Sequence, residues 1–114
     1  MSRERDALFD MLEYATLAME HLAGKTVEEL RQDIQLRNAV LYEMAVIGEA
    51  ASRLSEETKL RFPDIPWPIV IGMRNVLVHE YERVNVVKVF DTVRKDLPEL
   101  VRVLTEGLEK ERDE

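Results

Sequence analysis

Apolar residues recur at helical spacing along most of the chain. From about Arg3 to Leu22, the residues Leu8, Met11, Leu12, Ala15, Ala18, Met19 and Leu22 follow the i, i+3, i+4, i+7 rule and give one apolar stripe. Gly24 closes that segment in the way a C-terminal glycine does. Thr26 and Glu29 have capping-box spacing and open a short helical turn. A second long helix is predicted from about Ile34 to Leu54, with its stripe at Leu41, Met44, Ala45, Gly48, Ala51 and Leu54. The glycine and alanines on that stripe predict a close helix crossing. Ser55-Glu56-Glu57-Thr58 reads as a new cap and a short turn.

Arg61 to Pro68 is a break, because Pro63, Pro66 and Pro68 cannot all lie inside a regular helix. Pro68 suits the first turn of a third helix, predicted from about Trp67 to about Glu80. A last long segment runs from about Asn85 to about Lys110, striped by Val86, Phe90, Val93, Leu97, Leu100, Val101, Leu104 and Leu108. Pro98 falls inside it while the stripe keeps phase, which predicts a kink or a brief break rather than a new direction. No segment alternates apolar and polar residues between hairpin turns. The expectation is an all-α antiparallel helix bundle of about four main helices plus short ones, forming one domain over residues 1–114.

Composition narrows the function classes. The formal net charge is −7, which argues against broad coating of nucleic acid but leaves room for a small local site or a basic partner. The absence of cysteine excludes disulfides and thiolate catalysis. The N-terminus goes straight into charged, periodic sequence without a signal peptide, and no apolar run is long enough to span a bilayer. A cytoplasmic protein with no membrane contact is expected.

One residue in the third helix breaks the pattern. On a wheel of about 100° per residue, Trp67, Val70, Ile71, Leu77, Val78 and Tyr81 share a face, and Arg74 falls in its middle. Ile69, Met73 and Val76 widen the apolar arc. A guanidinium there either snorkels or pairs with an acid, or it marks a cleft or a subunit interface with a charged centre. His79 lies about 140° from Arg74 on the same wheel, so a straight helix does not bring the two heads together by default. Arg, His and Tyr together suit phosphoryl transfer without metal. Histidine moves a proton near neutral pH, arginine grips phosphate, and tyrosine offers a hydroxyl. Metal binding is disfavoured, since His21 lies opposite the stripe of its helix and no His-Glu-x-x-His spacing exists.

The run Arg74-Asn75-Val76-Leu77-Val78-His79-Glu80-Tyr81 resembles the Arg-x4-His-x-Tyr signature of HEPN-domain proteins of the HepT-like group. Val46-Ile47-Gly48-Glu49-Ala50-Ala51 resembles that group's Ile-Gly-Glu-Ala segment. Pro63-Asp64-Ile65-Pro66-Trp67 resembles the loop before its motif helix, and Asp96-Leu97-Pro98-Glu99-Leu100 resembles its C-terminal helix. The resemblance implies a homodimer with a shared cleft and a metal-independent ribonuclease toxin that cleaves RNA. It also implies a partner, a minimal nucleotidyltransferase antitoxin. Arg74 would hold the scissile phosphate and His79 would act as general acid/base. Tyr81 would be the tyrosine that the partner modifies with AMP, so that ATP is used by the partner and the chain itself needs no cofactor. Adding a nucleotidyl phosphate there would place negative charge and bulk where RNA must bind. Glu49, Asn75 and Glu80 are auxiliary candidates, with Glu49 orienting His79 or pairing with Arg74. Arg37, on an apolar face, is expected to add charge near the cleft without being catalytic. The alternative is a non-catalytic HEPN module that serves a nucleotidyltransferase as binding partner or substrate.

Overall fold

The computed structural model describes residues 3–75 and 84–112. It contains α1 (Arg3–Leu22), α2 (Val27–Gln32), α3 (Ile34–Ser52), α4 (Glu56–Leu60), α5 (Trp67–Gly72), α6 (Val86–Asp91) and α7 (Leu97–Arg112). A π-helical turn, Thr92–Asp96, joins α6 to α7. No strand occurs among the described residues, and the all-α architecture agrees with the periodicity.

The helix ends follow from local chemistry. Gly24 adopts φ +73° just past α1, a left-handed conformation that a residue with a Cβ enters only at a cost. Thr26 accepts from the Glu29 N–H while the Glu29 carboxylate accepts from the Thr26 N–H, the reciprocal capping box expected from the spacing. Asp33 and Ser55 cap α3 and α4 by accepting from Leu36 and Thr58. Pro68 sits in the first turn of α5, where a missing N–H costs nothing. Trp67 secures the proline-rich loop by donating from Nε1 to the carbonyls of Lys59 (3.0 Å) and Phe62 (3.2 Å).

The core forms where α1 lies along α3, with α7 closing over α1 and α5 packing on α3. Leu8, Met11, Ala15, Ala18 and Leu22 of α1 are fully buried against Leu41, Ile47 and Ala51 of α3 and Leu97 and Leu104 of α7. Leu12 and Met19, at the edge of the predicted stripe, are only partly buried. Truncating a leucine such as Leu41 in such a core costs roughly 2–5 kcal/mol.

One helix differs from expectation, and the last segment shows its expected brief break as a π turn. The third helix was predicted to continue to about Glu80, but α5 ends at Gly72. The Met73 and Arg74 N–H groups bond three residues back, to Val70 (3.1 Å) and Ile71 (3.2 Å), tightening the chain out of α geometry. Residues 76–83, and with them the predicted end of that helix, lie outside the described residues. The last segment keeps its direction through a π turn rather than a plain kink: the Leu97 N–H bonds the Thr92 carbonyl, five residues back. Pro98 follows directly. It has no N–H to donate, and its ring crowds the carbonyl four residues earlier, so the turn before it opens. Val89, not Phe90, is buried at that point.

Candidate functional site

The ends of α3 and α5 meet at a glycine. A Cβ on Gly48 would collide with the Arg74 backbone nitrogen and would lie 2.9 Å from the Ile71 carbonyl oxygen and 3.0 Å from the Arg74 Cα. Only a residue without a side chain admits this approach. The close crossing predicted from the small residues of α3 is therefore real, and its partner is the turn that carries Arg74.

The next residue of α3 meets the side chain. Glu49 Oε2 lies 3.9 Å from Arg74 Nη1, and Glu49 Oε1 lies 3.9 Å from Arg53 Nε. One carboxylate thus stands between two guanidiniums. All three side chains are about half exposed, so this is a surface triad. The helical wheel placed Arg74 in the centre of a core-facing stripe, and the structure corrects this: its side chain is 47% exposed. The wheel assumed α geometry beyond Gly72. The chain tightens there instead, leaving Trp67, Val70 and Met73 buried and turning Arg74 out beside α3. Of the two roles considered for Glu49, pairing with Arg74 is the one among the described residues.

Asn75 is exposed and lines a groove of about 330 Å³ with Gly72, Met73, Lys88 and Thr92, a groove that Arg74 does not line. The structure therefore does not bring Asn75 together with Glu49 and Arg74. His79, Glu80 and Tyr81 lie outside the described residues. Arg37, expected near the cleft, donates from Nη1 to the Arg31 carbonyl at 2.6 Å. It caps the end of α2, where carbonyls lack helical partners.

Two features were missed in the sequence. The first is Arg53, the C-cap residue of α3, one helical turn after Glu49. The i, i+4 spacing of Glu49 and Arg53 was the available signal. The second is Glu43, which is buried at 5% exposure on α3, with His21 Nδ1 2.9 Å from each of its carboxylate oxygens. Burial pushes the Glu43 carboxyl above its ordinary value, and the hydrogen bond and charge of His21 oppose that shift. Glu43 lies three residues after Val40 and four before Ile47, so its place on a buried stripe was readable.

Comparison with known proteins places these residues in a family. The family model described as "Ribonuclease HepT-like" matches residues 11–106. The chain is 32% identical over 112 residues to "Putative RNase TTE0752" of Caldanaerobacter subterraneus subsp. tengcongensis, covering 98% of this chain and 100% of that protein. It is 32% identical over 96 residues to "Probable ribonuclease HepT" of Thermococcus cleftensis, covering 84% and 87%. It is 29% identical over 93 residues to "Putative RNase MJ1380" of Methanocaldococcus jannaschii, covering 82% and 85%. No solved structure matches the chain.

Proposed function

The chain belongs to the HepT-like ribonuclease family, and we propose that as an endoribonuclease it works without metal and forms the toxin half of a toxin–antitoxin pair. The observation that carries the reading is the meeting of two segments at Arg74. Gly48 admits its backbone and Glu49 faces its guanidinium, so the first residue of the Arg-x4-His-x-Tyr run is solvent-facing and fixed to α3. A guanidinium in that position can hold the scissile phosphate with two parallel N–H donors and steady the charge that develops in the transition state. His79 supplies the proton transfer, to or from a ribose hydroxyl or the leaving oxygen. Glu49, which pairs with Arg74 in the free protein, Asn75, on the neighbouring groove, and Glu80 are auxiliary to these two.

Tyr81 is the control point. A minimal nucleotidyltransferase partner transfers AMP from ATP onto its hydroxyl, the Tyr81 oxygen losing its proton and bonding the α-phosphorus as pyrophosphate leaves, and the added phosphate repels RNA beside Arg74. The ribonuclease itself uses no cofactor. The whole chain acts as one HEPN-like domain in the cytoplasm, and two copies pair as a homodimer across the motif segments. The 66% exposed Ile69, beside the buried Val70 and Met73, supports an apolar contact there. Among the described residues no helix is long and apolar enough to cross a membrane.

The test uses purified full-length protein and RNA in the presence of a chelator. Wild type is expected to cut, and Arg74→Ala or His79→Ala to lose about 100-fold or more of the rate. Cleavage that persists in both variants would overturn the assignment. Co-expression with the nucleotidyltransferase should add nucleotidyl mass to the chain, and Tyr81→Phe should abolish the gain. A monomer in sedimentation at micromolar concentration would overturn the shared cleft.

A further inference from the structure

We propose that Arg53 is a second phosphate-binding residue of this site, and that a phosphodiester of RNA bridges Arg53 and Arg74 in the place that Glu49 takes in the unliganded protein. The inference rests on the ribonuclease reading above and deepens it. Glu49 presents one oxygen to each arginine, Oε1 to Arg53 and Oε2 to Arg74, both at 3.9 Å. That distance is too long for a hydrogen bond, so neither guanidinium spends its directed donors on the carboxylate. Exposed pairs of this kind contribute little stability and exchange readily. Two guanidiniums on either side of one carboxylate form a seat for a single negative charge spread over two oxygens. A phosphodiester carries that charge on its two non-bridging oxygens, and arginine's planar fork suits it better than lysine's point charge would.

The fold fixes the seat from both ends. Arg53 is the C-cap of α3, where the helix dipole favours a cation. Arg74 is held by the backbone contact at Gly48. Beyond Arg53 the positive charge is balanced: the groove between the start of α1 and the end of α3 sets Asp6 and Asp10 beside Arg3 and Arg53. The seat therefore takes one phosphate next to Arg74 rather than opening a basic track, which fits a chain of net charge −7. Glu49 becomes a built-in competitor. RNA must displace it from between the arginines, which excludes weaker anions from the site.

The experiment measures binding of a single-stranded 2′-O-methyl RNA of mixed sequence, which cannot be cut at its sugar hydroxyls, to the full-length protein across a salt series. Arg53→Ala should bind about tenfold more weakly. Its slope of log affinity against log salt should fall by about 0.7, the signature of one lost phosphate contact on a single strand. Arg53→Lys should restore the slope while regaining only part of the affinity. Glu49→Gln should bind about threefold more tightly, because the competing charge is gone while the side chain keeps its size. If Arg53→Ala matches wild type in affinity and slope while Arg74→Ala loses binding, the second contact is overturned and the ribonuclease reading stands. If wild type neither binds the probe nor cuts RNA, both fall.

Discussion

Two glutamates on one helix show how burial sorts charge into different work. Glu43 and Glu49 both project from α3. Glu43 is buried and, among the described residues, meets one partner, His21, at 2.9 Å. Glu49 is half exposed and is shared loosely by two arginines at 3.9 Å. A carboxylate taken out of water must be satisfied by a fixed partner, and that fixes α1 against α3. A carboxylate left in water keeps its hydration, so its partners stay available to another anion. The same residue type is a structural tie at one position and a place-holder at the other.

The comparison is broken most strongly at Gly48, which lies between the two. Gly48→Val would drive a side chain into the Arg74 backbone and the Ile71 carbonyl. We expect a loss of about 3 kcal/mol in chemical denaturation and loss of RNA cleavage even at temperatures where the variant is folded. Intact cleavage with normal stability would show that the close approach is dispensable. A smaller effect separates the glutamates directly. Glu43→Ala should cost about 1–2 kcal/mol, since it opens a space in the α1–α3 contact and removes the hydrogen bond with His21, whereas Glu49→Ala should stay within about 0.5 kcal/mol. Equal losses in parallel denaturant titrations would contradict the contrast.

The smallest effect is in pH. Burial raises the Glu43 carboxyl above its ordinary value, against the pull of His21. A folded-state value raised above the unfolded one gives stability that is fully present below the ordinary carboxyl range and is lost as pH rises through the folded value. Glu43→Gln removes that dependence. Wild type should therefore lose stability relative to the variant, by about 1 kcal/mol or less, as pH climbs from 4 to 7. A difference that stays flat, or slopes the other way, would mean that His21 outweighs burial.

Much of this architecture was readable in the sequence because it rests on local rules. The α1 stripe, the Thr26–Glu29 box, Gly24 and Pro68 each act over one helical turn, and each appears where the residues placed it. The place of Arg74 was not readable from a wheel. An apolar arc that continues past Gly72 looks the same whether the backbone bonds four residues back or three, and only the second turns Arg74 outward. Within the site, the Ile-Gly-Glu-Ala segment and the arginine were both legible, but their contact depends on how α5 lands on α3. Arg53 and the Glu43–His21 pair were missed for a related reason: their meaning comes from neighbours that are distant in sequence. Arg37 is different: its partner, the Arg31 carbonyl on α2, is only six residues away, but a bond to a main-chain carbonyl leaves no residue-type pattern to read.

The π turn at Thr92–Asp96 has a consequence for how the chain can vary in length. Val89, Val93 and Leu97 are all buried, and each is four residues from the next. Two such steps would carry an ideal α-helix about 80° past the core, and the underwound turn absorbs that excess. It also brings Arg94 over the Phe90 ring, with its guanidinium donating to the carbonyls of Leu22 (2.9 Å) and Lys25 (2.6 Å) at the end of α1. Removing one residue here would leave seven, about 700° in a regular α-helix, so α7 would stay within about 20° of its present face, whereas adding one would swing it by about 100° and turn Leu100, Leu104 and Leu108 away from α1. The turn works as slack in a gear train: it is where the chain can give up one residue and keep its two ends in mesh.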